Sequence, residues 1–300
     1  LKFPKLWEAA YVRSPIAHGY IRTIKKPTEF SGQIFTADDL KDVLPIRAES
    51  SLPGYKASDF YPLAKDKVRY VGECIAICIA PTRAEAEDIA EQVSIEFDPL
   101  PPVVDALEAR KPESAILHDE WGHNLFVETN FEDEIETAKG EATVVIEREY
   151  KTARQCMTPM EGKGTLSYWD ARSNQLIVYT STQVPHLIRT GIAQFLQMDQ
   201  GNVRVVAPDV GGGFGYKCVL QPEELSVSWV ALKTGRPIRW TEDRREHLVA
   251  GANTRQHHYK ITAYANDQGR LLGLEADITV DVGAYSVWPF TACLEAAQAG

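Results

Sequence analysis

Residues 208–217, PDVGGGFGYK, set four glycines around Phe214 and end on Lys217. Glycine costs conformational entropy and packs nothing, so such a cluster marks either positive φ angles or backbone that another group approaches closely. Consecutive main-chain N–H groups in a loop of this kind converge into a nest that hydrogen-bonds anionic oxygen or sulfur. Two nucleotide motifs fail. A Walker A loop needs Gly-Lys-Ser/Thr, but Lys217 stands between Tyr216 and Cys218; a G-x-G-x-x-G count from Gly211 or Gly213 ends on Tyr216 or Cys218. The remaining alternatives are a ligand nest of another type and a loop that lets a strand and a helix pack closely.

Other residues with ligand chemistry are dispersed. Cys74, Cys78, Cys156, Cys218 and Cys293 are odd in number and never spaced C-x-x-C. This argues against a disulfide framework, a zinc site or an iron–sulfur cluster held by this chain alone, and it suits a reducing, cytoplasmic compartment. Cys74 and Cys78 lie in ECIAICIAP, an apolar run that reads as a buried strand. His257 and His258 precede a strand, where neighbouring side chains take opposite faces, so a joint metal site is not expected. A net charge of -10 repels a phosphate backbone and argues against nucleic-acid binding as the main task. No apolar run is long enough to span a bilayer. The start at Leu1 and the end at CLEAAQAG, without turn or tail, lead us to expect a fragment.

The elements that would position the glycine loop can be read in turn. Residues 6–24 give two short strands broken at Ser14-Pro15, and TADDL reads as a short helix start capped by Thr36. In 70–97 an apolar strand leads to a helix with Thr82 and Glu85 as a capping box and Ala86, Ile89, Ala90 and Val93 on one face, then to the strand SIEF. DPLPPVVD, with three prolines, opens an extended connection, so the expected organisation is residues 1–105, a linker over 106–124, and a second region over 125–300. In that second region TLSYWD and QLIVYTS form a hairpin, and Pro185 opens a helix bearing Ile188, Ile192, Phe195 and Leu196. NVRVVAP is the strand from which the glycine loop hangs. QPEELSVSWVALKTGRP has the start and stop signals of a helix, and residues 257–282 make a long hairpin turning at NDQG.

Taken together, RSPIAHGYI, VRYVGECIAICIAPTRAEAEDIAEQVSIEFDPLPPVVD, STQVPH, APDVGGGFGYK and KTGRPIRWTEDRREHL run in unbroken order through the chain. In these segments it resembles the molybdenum-binding subunit of the xanthine dehydrogenase, aldehyde oxidase and carbon monoxide dehydrogenase family. The resemblance implies an α+β fold: a small α/β hammerhead domain, then the first part of a mixed α/β molybdopterin-binding domain. It implies a molybdenum–molybdopterin cofactor, with the cytosine dinucleotide form as an alternative. Gln183 matches the family glutamine whose amide approaches the metal's oxo ligand; Gly212, Gly213, Phe214 and Gly215 match the loop whose N–H groups face metal and cofactor, with Phe214 beside Gln183 at the metal. Glu161 matches a recurring acid with no role assigned, Lys217 reads equally as a cofactor counter-charge or a solvated lysine, and His186 as a channel residue or a structural one.

Cys218 stands where purine-oxidising members commonly carry a glutamate, which argues against a purine substrate. The implied chemistry is transfer of water-derived oxygen to an electrophilic carbon of an aldehyde or N-heterocycle, with carbon monoxide oxidation as a close variant. By the resemblance, the family's general-base glutamate is expected beyond Gly300, and no residue of this chain is expected to be catalytic. The resemblance further implies iron–sulfur and FAD groups in partner subunits or domains, not in this chain, within a homodimer of heteromers. A non-catalytic module that binds an anion or partner through the glycine loop is the rival from another class.

Overall fold

The structure is a computed structural model, and it describes residues 2–289. In chain order the elements are β1 (Trp7–Arg13), β2 (Gly19–Lys25), β3 (Ile34–Thr36), β4 (Lys67–Val68), β5 (Cys74–Ala80), α1 (Arg83–Glu91) and β6 (Ser94–Pro99). Then follow α2 (Ala106–Ala109), α3 (Ile135–Glu141), β7 (Val144–Thr152), β8 (Gly164–Asp170), β9 (Gln175–Thr180), α4 (Pro185–Phe195) and β10 (Val203–Val206). The described part closes with α5 (Pro222–Thr234), β11 (Ile238–Thr241), α6 (Arg244–Ala250), β12 (Gln256–Ala265) and β13 (Leu271–Asp281). One mixed sheet and two antiparallel sheets, with helices packed on them, make the fold α+β, as expected.

A seven-stranded sheet in the order β10-β9-β8-β11-β1-β5-β3 runs through the molecule. Its centre joins the two halves of the sequence, because β1 pairs in parallel with β11 and antiparallel with β5. The apolar run of β5 is buried at every position, which is why it reads as an uninterrupted hydrophobic strand; Cys74 and Cys78 are core residues within it. Helix α5 lies against this sheet and is buried from Pro222 to Ala231. Its two inner serines are satisfied locally: Ser226 Oγ meets the Tyr11 hydroxyl at 2.6 Å, and Ser228 Oγ meets Ser167 Oγ at 3.0 Å. One core cluster, with Ile77, Ile79, Trp229 and Trp240, therefore spans residues far apart in the chain.

Helix α1 begins as the sequence indicates, with the reciprocal Thr82–Glu85 capping box and with Ala86 and Ile89 buried. The strands on either side of it part company: β5 joins the large sheet, whereas β6 pairs with β2 in a separate sheet ordered β4-β2-β6. TADDL does not start a helix. Asp39 takes the Thr36 N–H at 2.8 Å in a cap-like contact, but burial of Leu40 and Val43 draws the chain into the core after one turn. The connection is extended from 100 to 105 and then folds: Asp105 caps the short α2, and Lys67 and Arg69 donate to the carbonyls of Ile116 and Leu117. The third sheet, β13-β12-β7, contains the long expected hairpin and adds β7 as an edge. Among the described residues no helix is long and apolar enough to cross a membrane.

One buried acid ties the first half to residues near 285. Glu73 accepts from the Tyr285 hydroxyl at 2.6 Å and from the Arg69 N–H at 2.6 Å. Burial outweighs these bonds and pushes its carboxyl up to about 7. A carboxyl whose folded pKa is raised contributes stability that is complete below its ordinary value near 4.5 and is lost as pH rises through about 7. Denaturant unfolding should therefore show a stability decline between these limits that Glu73→Gln removes, a difference of up to roughly 3 kcal/mol. Parallel pH profiles for the two proteins would contradict this placement of Glu73.

Candidate functional site

Strands β9 and β10 are parallel neighbours, with Tyr179 opposite Val206, and α4 forms the crossover between them. Their carboxyl ends consequently open at the same edge, where open α/β sheets place ligands. Beyond β9 the chain runs through Ser181, Thr182 and Gln183 before Pro185 starts α4; beyond β10 it enters the glycine loop before Pro222 starts α5. Topology alone thus brings Gln183 to the loop.

The two segments are laced together. The Gln183 N–H and the Thr182 hydroxyl both donate to the Lys217 carbonyl at 3.0 Å, and the Gly215 N–H donates to Gln183 Oε1 at 3.2 Å. Gly211 N–H donates to Glu161 Oε2 at 2.7 Å. Among the described residues no acceptor meets the N–H groups of Gly212, Gly213 and Phe214, nor the Nε2 group of Gln183. Positive φ values at Gly212 (92°), Phe214 (52°) and Gly215 (87°) bend the run into a nest-like path. Phe214 is unusual among them, because a side chain in this region costs about 1–2 kcal/mol, and its ring is 72% exposed, so core packing does not explain it.

The glycines answer to tight packing as well as to φ. A Cβ at Gly213 would lie 2.2 Å from Gln183 Oε1, and one at Gly211 would lie 2.7 Å from Glu161 Cβ. Bare backbone lets these two side chains close on the loop from either side.

Beneath the loop lies a buried polar layer. Lys217 is fully buried and its Nζ meets Glu161 Oε2 at 2.7 Å, so it is not a solvated lysine. Ser181 Oγ donates to the same oxygen at 2.9 Å. Burial would raise the Glu161 carboxyl, but these donors together hold it below the usual carboxylate range. The Tyr216 hydroxyl donates to Glu242 Oε1, while Glu242 Oε2 accepts the Lys163 N–H at 2.8 Å and faces His247 Nδ1 at 3.1 Å. Lys163 Nζ meets Glu224 Oε1 at 3.2 Å, with both side chains wholly buried. A cavity of about 1570 Å³ is walled by Tyr216, Gln221 and Glu242 on one part and by Ile278 and Val280 on another. It touches neither Gln183 nor residues 211–215, so we place the candidate site at the loop, with its run of N–H donors that meet no acceptor among the described residues, and not at this cavity.

Residues 117–299 match the family described as the molybdopterin cofactor-binding domain, and residues 2–101 match the aldehyde oxidase and xanthine dehydrogenase a/b hammerhead domain. The chain belongs to the molybdopterin-binding large subunits of the xanthine dehydrogenase, aldehyde oxidase and carbon monoxide dehydrogenase family. It is 33% identical over 294 residues to the nicotine 6-hydroxylase large subunit of Paenarthrobacter nicotinovorans, covering 96% of this chain and 36% of that one. It is 31% identical over 305 residues to the carbon monoxide dehydrogenase large chain of Hydrogenophaga pseudoflava, covering 95% and 37%. The crystal structure of quinoline 2-oxidoreductase from Pseudomonas putida 86 superposes with a TM-score of 0.90 at 32% identity, covering 97% of this chain and 38% of that one. The chain thus spans little more than a third of the length of these relatives.

Of the residues singled out in the sequence, the fold gathers Gln183, Gly212, Gly213, Phe214 and Gly215 in one place, with Glu161 and Lys217 directly behind them. Cys218 is half-buried, and burial pushes its thiol up, opposed by Lys163. His186 is exposed on the first turn of α4. His257 pairs with the Tyr259 hydroxyl and His258 with Gln256. Among the described residues no group of three or more His, Cys, Asp or Glu could hold a metal ion. Cys293 lies outside the described residues. Glu242, His247, Lys163 and Glu224 went unnoticed in the sequence; Glu224 looked like an ordinary first-turn acid of α5, and no spacing marks the others.

Proposed function

We propose that this chain forms part of a molybdenum hydroxylase that transfers water-derived oxygen to an electrophilic carbon of an N-heterocycle. The observation that carries the reading is the row of N–H groups at Gly212, Gly213 and Phe214, which meet no acceptor among the described residues and stand beside the Gln183 amide. Oriented neutral donors suit a ligand presenting oxo oxygens and thiolate sulfurs, so the residues present fit a molybdopterin-bound metal. When bound, the cofactor would supply two-electron redox chemistry and activated water.

The chain's own part is to hold and orient. The N–H groups of residues 212–214 would bind anionic atoms, and the Gln183 Nε2 group would donate to an oxo group without adding charge. The fixed Gly215–Gln183 contact keeps both sets of donors in register, which minimises reorganisation as charge develops. Lys217 is ion-paired with Glu161, so its charge is not free for the ligand.

An N-heterocyclic substrate is supported by two of the relatives, whose names specify nicotine and quinoline. The 31% identity to a carbon monoxide dehydrogenase large chain supports carbon monoxide oxidation as the second reading. Those names, large subunit and large chain, also support assembly with further subunits, and the resemblance to the family implies that these carry the iron–sulfur and flavin groups.

Metal analysis of the intact protein should find about one molybdenum per chain. Gln183→Ala should lower turnover with an N-heterocycle by about 100-fold and leave the melting temperature unchanged. Active preparations free of molybdenum would end this reading.

A further inference from the structure

We propose that Glu161 is the positioning residue of the cradle: a single carboxylate oxygen binds together the two chain segments whose spacing the ligand requires. The proposal deepens the functional reading above and rests on it. Glu161 Oε2 takes donors from three places: Gly211 N–H at 2.7 Å, Ser181 Oγ at 2.9 Å and Lys217 Nζ at 2.7 Å. Gly211 opens the glycine run, Lys217 closes it, and Ser181 lies two residues before Gln183. One atom therefore fixes both ends of the loop and the root of the Gln183 segment.

The backbone repeats the tie, since the Glu161 N–H donates to the Gly211 carbonyl at 3.2 Å. Close approach is built in, because a Cβ at Gly211 would fall 2.7 Å from Glu161 Cβ. Oε1 makes no hydrogen bond among the described residues, and the side chain is 42% exposed, so the carboxylate stands at the rim and not in the packed core. Glu161 also absorbs the Lys217 charge, leaving anion binding to the N–H dipoles. It acts through Gly211, Ser181 and Lys217, not on the ligand itself.

Truncating Glu161 alone would strand a buried ammonium, which would confuse placement with stability. The test therefore removes both charges in the intact protein and compares Glu161→Ala/Lys217→Met with Glu161→Gln/Lys217→Met, whose amide oxygen still accepts from Gly211 and Ser181. Three quantities are read: melting temperature, hydrogen exchange of the segment 209–218, and molybdenum retained after exhaustive dialysis. In the alanine double variant the segment should exchange at least about tenfold faster, with the sheet amides unchanged. Molybdenum retention should fall about tenfold. The glutamine double variant should keep parental exchange and retention.

Parental exchange in the alanine double variant would overturn the proposal. Equal loss in both double variants would also overturn it, by showing that the ion pair matters and not the placement. If the parent itself contains no molybdenum, the functional reading fails separately, and the exchange comparison still decides the role of Glu161.

Discussion

Gly213→Ala is expected to lower turnover of the intact protein by about 100-fold or more, the scale seen when one preorganised donor is lost from an active site. The added Cβ would sit 2.2 Å from Gln183 Oε1, 2.4 Å from its Cδ and 2.8 Å from its Cγ. No small shift relieves three such contacts, so the amide must swing out. Gln183 is exposed and can do so into solvent, and Gly213 does not hold a positive φ, so alanine is not strained by its backbone. Stability should then move by less than about 0.5–1 kcal/mol, while the Gly215–Gln183 contact is lost. Turnover, molybdenum content and thermal melting measured on the same preparation separate these effects. A fully active Gly213→Ala protein would mean that Gln183 does not work from where the fold places it.

The largest stability effect is expected at Glu224. Its carboxylate accepts from Lys163 Nζ at 3.2 Å, the Thr180 hydroxyl at 2.6 Å and the Gln221 N–H at 3.0 Å, all at full burial. Among the described residues, Glu224→Ala leaves Lys163 Nζ facing only the Val219 carbonyl at 3.5 Å, and it strands two further donors. Removing one partner of a buried pair costs about 3–5 kcal/mol, a large share of the roughly 5–15 kcal/mol that holds a domain folded. We expect a fall in melting temperature of about 10 °C or more, or failure to accumulate. Lys163→Met/Glu224→Gln, which removes the buried cation and keeps an acceptor for Thr180, should recover most of it. A Glu224→Ala protein melting within two or three degrees of the parent, as an order of magnitude, would contradict the role assigned to this pair.

Most of the fold was legible because its signals are local. The Thr82 capping box, Pro185 and Pro222 at helix starts, and the NDQG turn of the long hairpin each need only neighbouring residues, and each appears where the pattern placed it. Long-range pairing was not legible. Nothing in β1 announces that it will join β5 on one side and β11, some 230 residues later, on the other. TADDL failed for a related reason, since its local cap signal competes with burial of Leu40 and Val43 against distant parts of the core.

The site divides along the same line. Its glycines and Gln183 could be singled out because bare backbone and a matching motif are visible in one dimension. Most of their supports could not. Glu161 matched a recurring acid but carried no role, and Lys163, Glu224 and Glu242 look like ordinary charged residues in the chain; only the fold shows that Glu161 holds Lys217, Glu224 holds Lys163 and Glu242 holds Tyr216. Lys217 shows the limit most plainly: the sequence left it open to solvent or cofactor, and the fold gives it to Glu161.

Anomalous diffraction from crystals of the intact protein at the molybdenum edge would locate the metal relative to the glycine loop. The strongest peak is expected beside the main-chain amides of Gly212, Gly213 and Phe214, within reach of the Gln183 amide. A peak elsewhere in the molecule, or none, with those amides capped by protein groups, would contradict that placement.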